Sequence, residues 1–538
     1  MAKTKSTFEF DYLIAGGGIA GLYTAYRLLQ NSHAARICIL EASNRLGGRL
    51  HSIPLKECTV IDAGGARFNT EQYRILRLIH ELGLDSKKVE ISSGSKYIPI
   101  HRNYDPQLEA EFPEIDNIIE KLASHIRQHN IPDSKLINTN LLELIHEIYS
   151  NEYPSIKKYL IARYPYYSEL HSLNALEGIS LFTYEFSQKM QYFILAGGLQ
   201  QLIASISQQL EKYSNVEIHL NQPLEAITHQ NTATGANIYC ISSNDKEFLT
   251  NKVILALPQP ALMKIKFLTK HASVRRSINS ILPEPLYRIY ARYPPDKKTG
   301  KVWFAGLPKI VTNLPIKYII PSNVEKGIIM ISYTDARFAR YWFNKLSAGD
   351  DILQKELAHQ LKLLFPELEI PAPLWLKHYY WDMGAGYWKP GCSRREIMPR
   401  ITKPLAGQEI YICNENYSSH QAWVEGSLES ADYVLEKLGI PLKNTSTSSK
   451  TNLHREHGKR EPRRRGTQKH SKGGGGAKNK QTKKTRKQRA YTLAEVAKHN
   501  KKTDAWIAID GKVADNYKVD TQASRWRYNY ERSWKRCY

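Results

Sequence analysis

Three glycines at fixed spacing carry the first recognisable chemistry of this chain. Gly16-Gly17-Gly18-Ile19-Ala20-Gly21 is a GxGxxG run. It follows an apolar segment at residues 8–15 (FEFDYLIA) and precedes residues 19–30, where Ile19, Leu22, Tyr23, Tyr26 and Leu29 recur at helical spacing. Between a strand and a helix, Gly16 permits a tight turn, Gly18 lets the backbone approach a pyrophosphate, and Gly21 lets helix and strand pack closely. The pyrophosphate then rests on the helix N-terminus, where free N–H groups and the helix dipole favour an anion, with Ala20 in the same turn. Glu41 lies 20 residues after Gly21, at the end of a second strand expected over Arg36–Leu40. There its carboxylate, with Ala42 beside it, is placed to accept from ribose hydroxyls. The constellation reads as a dinucleotide site.

The elements that must position these residues alternate along the chain. Helical patterns follow at 71–82 and 115–128, and residues 105–190 read as mostly helical, with loops marked by Pro113, Pro132 and Pro154. Strands are expected at 216–220, 253–257, 327–333 and 409–413, and a closing helix at about 423–438. Such alternation favours an α/β core.

The residues after Glu41 narrow the cofactor. Glu41-Ala-Ser-Asn-Arg45-Leu-Gly47-Gly48-Arg49 resembles the E-x-x-x-R-x-G-G-R segment of the flavin-containing amine oxidase family. Further segments resemble that family in its own order. They are Asp62-Ala-Gly-Gly65-Ala66-Arg67-Phe68, Gly197-Gly198-Leu199, Val216–Ile227 with Pro223-Leu224, and Val253–Pro258. The closing segments are Ile410–Glu415 and Trp423-Val424-Glu-Gly426-Ser. Cys413-Asn414 departs from the family's Ala-Gly. The resemblance covers about residues 8–440 and implies a Rossmann-like FAD-binding domain with an inserted mixed α+β substrate domain. On that template, residues 8–104, 191–265 and 401–442 build the FAD domain. Residues 105–190 and 266–400 build the substrate domain. Cofactor contacts are implied for Arg45, Gly48, Arg49, Gly65, Ala66, Arg67, Leu224, Glu415, Trp423 and Val424.

In this family the flavin carries the chemistry: an amine gives hydride to flavin N5, the imine hydrolyses, and oxygen reoxidises the flavin to release hydrogen peroxide. Four residues are implied on the substrate side. Tyr387 and Trp423 match aromatics that wall the substrate slot. Arg67 matches an arginine that pairs with the α-carboxylate in L-amino-acid oxidases, a bidentate fit that a simple amine cannot use. Arg288 stands where a lysine near N5 is expected, which leaves oxidase and dehydrogenase behaviour both open. Gly386 occupies the position of the flavin-linking cysteine of monoamine oxidases, so the FAD is expected to be non-covalent. The implied function is L-amino-acid oxidation. A polyamine or monoamine oxidase and a degenerate flavoprotein remain as alternatives.

Composition places the charge. Of 538 residues, 76 are Lys or Arg and 52 Asp or Glu, for a net charge of +24. Residues 443–489 contribute +15, with almost no large apolar side chains and four glycines in a row, Gly473–Gly476. This stretch is expected to be a disordered basic linker suited to nucleic acid or another polyanion. Residues 490–538 form a last segment. Its residues 491–513 resemble the opening of cytochrome b5-like domains, but no histidine follows His499, so no haem is expected. The six cysteines lie far apart and form no metal-binding pattern, and no metal is expected. No apolar run is long enough to span a membrane, and Met1–Phe8 does not read as a secretory signal. A cytoplasmic or nuclear location is expected, with virion association also open.

Overall fold

A computed structural model shows how these segments assemble. It describes residues 7–441, apart from 56–58, 93, 101–104, 188–189, 232–236 and 245, together with 500–501, 504–509 and 512–515. The chain divides into two compact units, Met1–Lys443 and Asn444–Tyr538. In the second unit the described residues form three short antiparallel strands, with Trp506 opposite Asp515. The expectations for 443–489, for the helix opening at 491, and for the end of the chain after Asp515 lie outside the described residues.

In the first unit, Thr7–Ala15 lies inside a seven-stranded sheet. On one side it runs parallel to Ile37–Leu40, which runs parallel to Val216–His219. On the other it runs parallel to Lys246–Leu255, with Ala15 opposite Leu255. Lys246–Leu255 is long enough to take two partners on its far edge. Its first half pairs antiparallel with Asn237–Ser243, while Val253–Leu255 run parallel to Ile410–Ile412. The strand therefore begins seven residues before the expected 253, because the hairpin continues its ladder.

Parallel strands covered on both faces need side chains that are apolar on both faces. Ile14, Ile37, Ile39 and Ile254 face the helices Ile19–Asn31, Gln200–Leu210 and Val424–Lys437. Leu13, Cys38, Leu40 and Val253 face the opposite layer, with Leu262, Leu268 and Ile278. All eight strand residues are essentially inaccessible to water. The expected helices at 71–82 and 115–128 are Tyr73–Glu81 and Ile115–Gln128.

A second, six-stranded sheet forms the other layer, in the order Trp375–Trp388, Ile281–Arg292, Ile328–Asp335, Tyr318–Asn323, Ile310–Thr312, Lys96–Ile98. Its two longest strands were not evident in the sequence. Pro283 and Pro285 interrupt the first, and proline argues against a ladder position. The structure accommodates them beside a register shift between Glu284 and Leu286. Lys96–Ile98 runs parallel to Ile310–Thr312, so the chain enters this layer before residue 105. Between Pro106 and Tyr184 a series of short helices encloses its own apolar core. A small sheet of Arg67–Asn69, Tyr192–Leu195 and Lys88–Ile91 sets Arg67 opposite Ile194.

Candidate active site

A cavity of about 570 Å³ opens where the C-terminal ends of Thr7–Ala15 and Ile37–Leu40 approach the second sheet. Crevices at the carboxyl ends of parallel strands are the usual ligand sites of open α/β sheets.

The glycine turn forms one wall, and its three glycines have different reasons to be glycine. Gly16 has φ +110°, and a Cβ there would stand 2.4 Å from the Ala256 carbonyl oxygen. A Cβ on Gly21 would stand 2.1 Å from the Gly16 carbonyl oxygen. Both are demanded by the fold. Gly18 is not: a Cβ there would meet no atom within 4 Å. It borders the cavity as the N-cap of the Ile19–Asn31 helix, and no side chain caps that helix. Open space and uncapped N–H groups are what a phosphate requires.

Glu41 is fixed at the cavity edge. Its Oε2 accepts from Gly17 N at 2.8 Å, and its Oε1 accepts from Ser43 N and Oγ at 2.9 and 2.7 Å. Ala20 and Ala42 border the same space. Gly47 N donates to Gly17 O at 2.8 Å, which lays the next loop against the first and brings Gly48 over Gly18. Arg45 lines the cavity, but its guanidinium is turned onto its own loop, donating to the Gly48, Leu46 and Leu50 carbonyls. Arg49 reaches across to the Glu415 carboxylate and to Gly384 O at 3.1 Å. The second carboxylate oxygen of Glu415, Oε2, is buried without a hydrogen-bond partner, and so is Trp423 Nε1. Such orphaned polar atoms are rare in folded proteins and mark a place for a ligand's polar groups. Gly65, Ala66, Leu224 and Val424 complete this wall.

On the substrate side, Arg67 reaches the cavity from its small sheet. Its guanidinium lies 5.1 Å from the ring centre of Tyr192, 5.6 Å from Trp423 and 5.7 Å from Phe186. No carboxylate of the described residues lies within ion-pair distance of it. Burial works against its charge, while coulombic interaction with Tyr166, Tyr318, Tyr192 and Tyr333 raises its proton affinity above the usual arginine value. Arg67 also borders a second cavity of about 40 Å³ with Tyr166, Tyr318 and Lys309. Burial, and then Arg67, push the Lys309 ammonium down to about 8.

Trp423 is set into the cavity by Ala422, whose φ of +69° is a left-handed conformation that costs a residue with a Cβ. Tyr387 is buried in the opposite wall and donates from its hydroxyl to Glu169 Oε1 at 3.0 Å. Arg288 lines the cavity beneath the Tyr333 ring, 4.5 Å from its centre, and donates to Asp62 O at 2.7 Å. At Gly386 there is no room for a side chain: a Cβ would stand 2.6 Å from Asn416 Nδ2.

The structure thus brings the residues expected at the site around one cavity, except Gly21, which acts beneath it in helix packing. Glu169, Tyr166, Phe186 and Tyr192 were not singled out from sequence. They come from the helical block and its return strand, and no spacing marks them; the dense aromatics of Tyr164-Pro165-Tyr166-Tyr167 were the only local signal. Among the described residues no cluster of His, Cys, Asp and Glu is arranged to hold a metal, and no helix is long and apolar enough to cross a membrane.

The parallel sheet, its glycine turn and this crevice define a Rossmann-like α/β fold of the kind that binds dinucleotides. Residues 19–434 match the family model described as flavin containing amine oxidoreductase, and the chain belongs to that family. A protein of Acanthamoeba polyphaga mimivirus, R188, is 22% identical over 494 residues, spanning 80% of this chain and 94% of the other. Flavin-containing amine oxidase A of Equus caballus is 42% identical over 83 residues, only 15% of either chain. Among solved structures, a putrescine oxidase double mutant aligns with a TM-score of 0.60 at 16% identity, over 81% of this chain and all of its own. A putative protoporphyrinogen oxidase from Exiguobacterium aligns with a TM-score of 0.58, also at 16% identity, over 81% of this chain and 99% of that one. At such identity these structures speak for the fold alone.

Proposed function

We propose that this chain binds FAD without a covalent link and oxidises an L-α-amino acid. The residues present fit the cofactor: a cradle over Gly18, an uncapped helix N-terminus, Glu41 at the cavity edge, and an unpartnered Glu415 oxygen inside it. Asn416 against Gly386 leaves no place for a linking side chain, which supports non-covalent binding. Bound FAD would supply the hydride acceptor for the amine's α-carbon.

The observation that carries the substrate reading is Arg67. Three aromatic rings surround this guanidinium, it borders the cavity, and no described carboxylate pairs with it. A sheltered guanidinium without an anion is a site for a substrate carboxylate, held by two parallel N–H···O bonds. Trp423 and Tyr387 wall the slot, and Arg288 keeps a fixed positive charge in it, in place of the family's lysine, for the reaction with oxygen.

Flavin reduction and peroxide release, measured with the twenty L-amino acids, putrescine, spermidine and benzylamine, test this reading. One or more amino acids should reduce the flavin, with peroxide formed on reoxidation. Reduction without peroxide makes the enzyme a dehydrogenase. A second reading, oxidation of a simple amine, is favoured by the flavin-containing amine oxidases among the proteins similar to this chain. Reduction by putrescine, spermidine or benzylamine alone would establish it.

A further inference from the structure

We infer that Glu169 is the proton acceptor of this cavity, taking the proton of the substrate's ammonium group ahead of oxidation. This rests on the family's amine chemistry and holds for an amino acid or a simple amine, so it stands apart from the role of Arg67.

Glu169 lies on the short helix Tyr167–His171, is 3% exposed, and borders the large cavity. Its Oε1 accepts from the Tyr387 hydroxyl, and its Oε2 lies 3.3 Å from Ser168 Oγ. The same Oγ is hydrogen-bonded to Asp335 Oδ2, and the two Asp335 oxygens also accept from the backbone N–H groups of Tyr167 and Ser168 at 2.8 Å each. A hydroxyl has one hydrogen to give. Where it serves one carboxyl, the other must carry a proton and donate to it. Asp335 collects two backbone N–H donors, from Tyr167 and Ser168, against a single one, its own, for Glu169; Asp335 is therefore the ionised member, and Glu169 holds the proton. Burial raises the proton affinity of both.

The groups around this pair include Arg337, two residues after Asp335, whose guanidinium stacks on the Tyr167 ring 4.4 Å from its centre. Tyr164 and Tyr166 precede the helix, and Tyr387 faces it from the Trp375–Trp388 strand. Glu284, near Asp335, is engaged by Arg340 at 3.1 Å and by Ser172 Oγ at 2.6 Å. Lys317 feels Asp335, but its ammonium donates to the Ile161 and Ala162 carbonyls, and burial pushes it down to about 7. No cation of the described residues pairs with Glu169 or Asp335. The substrate brings the missing cation.

An amine reaches the protein mainly as R₂CH–NH₃⁺, and its nitrogen lone pair must be freed before it can drive hydride from carbon. As the cation enters, the proton resting on Glu169 leaves to solvent. The Glu169 carboxylate then takes an ammonium proton, giving R₂CH–NH₂ and a carboxylic acid again. Bound FAD would supply the acceptor for the hydride of the α-carbon, and the nitrogen lone pair that Glu169 has freed would then form the C=N bond of R₂C=NH₂⁺. One proton reaches solvent for each substrate bound.

Infrared spectra of the purified protein, with and without FAD, test the resting state without any substrate. Wild type should show the carbonyl band of a protonated carboxyl that titrates above the ordinary carboxyl range. The band should appear in the difference between wild type and Glu169→Gln, which cancels Glu185, a carboxyl that burial also pushes up to about 7, and Ser168→Ala, lacking the shared hydroxyl, should shift its titration. With the fastest substrate of the panel, kcat/KM of wild type should show an acid limb. In Glu169→Gln it should fall by about 10²-fold or more, keeping only the limb of the substrate's own ionisation. Glutamine matches the neutral acid in shape, so FAD content and thermal stability at low pH should hold. A difference spectrum without that band, an unchanged kcat/KM profile, or loss of FAD from that variant would overturn the assignment. A panel that yields no substrate leaves the infrared result to decide.

Discussion

Arg49 and Glu415, 366 positions apart, form an ion pair that joins the first dinucleotide segment to the closing one. The pair uses only one oxygen of Glu415 and leaves Oε2 buried beside the cavity without a partner. Replacing Glu415 with alanine should therefore harm in two ways. It strands the Arg49 charge, and it removes the unpartnered acceptor that FAD hydroxyls would satisfy. Losing a charge-assisted bond of ~1.5–3 kcal/mol corresponds to roughly 10- to 150-fold weaker binding. FAD affinity by fluorescence titration measures this, and an unchanged affinity would remove Glu415 from the proposed cofactor set.

The glycines separate a cofactor effect from a folding effect. Gly18→Val meets open space in the protein, so thermal stability without FAD should hardly change, while purified protein should be colourless and take up no flavin. Gly21→Val drives a side chain into the Gly16 carbonyl and should destabilise the fold itself by at least the ~1–3 kcal/mol typical of overpacking. Calorimetry paired with flavin absorbance distinguishes the two.

Non-covalent FAD should come free of the wild-type protein on acid or heat precipitation and leave a colourless pellet. Flavin retained in the pellet would contradict the reading of Gly386.

Substrate class turns on Arg67. If it grips a carboxylate, the enzyme should oxidise an amino acid and reject its decarboxylated amine. Arg67→Ala should lower kcat/KM by roughly 10- to 150-fold, the loss of one charge-assisted bond of ~1.5–3 kcal/mol. Arg67→Lys keeps the charge without the fork and should lose activity severalfold or more. FAD content should stay constant in both. Should Arg67→Ala lose its flavin, the arginine is structural and the amino-acid reading loses its support.

Stability should fall as pH rises above the ordinary carboxyl range. Glu169 and Asp335 both bind protons more tightly folded than unfolded, chiefly through burial. In the window between the unfolded and folded pKa values the native state holds more protons, so the free energy of unfolding decreases with pH. Glu169→Gln removes one titrating partner, so the variant should gain stability relative to wild type as pH increases. Melting temperatures of both proteins across pH measure the difference, and parallel curves would deny that Glu169 is protonated at rest.

The dinucleotide half of the site was legible because its signals are local. Gly16, Gly18, Gly21 and Glu41 take their places from one strand–turn–helix–strand unit, and spacing along the chain is spacing in space. Parallel strands buried on both faces also appear as plain apolar runs, which is why Thr7–Ala15 and Ile37–Leu40 fell close to their expected positions.

What the sequence could not determine depends on contacts between distant segments. The Ile281–Arg292 strand hides behind Pro283 and Pro285, since its ladder is secured by Trp375–Trp388 rather than by local preference. Arg67 is recognisable by family pattern, but whether a carboxylate of the chain neutralises it depends on where Phe186, Tyr192 and Trp423 bring their rings. Glu169 carries no pattern at all. The proton proposed for it depends on Asp335, 166 residues away, sharing the single hydrogen of Ser168 beside a nearly buried Glu169. Sequence alone determined the cofactor turn, because backbone geometry acts between neighbours. Only the tertiary structure decided which charged side chains are buried around the cavity and how they pair, because burial and pairing are properties of segments that the fold brings together.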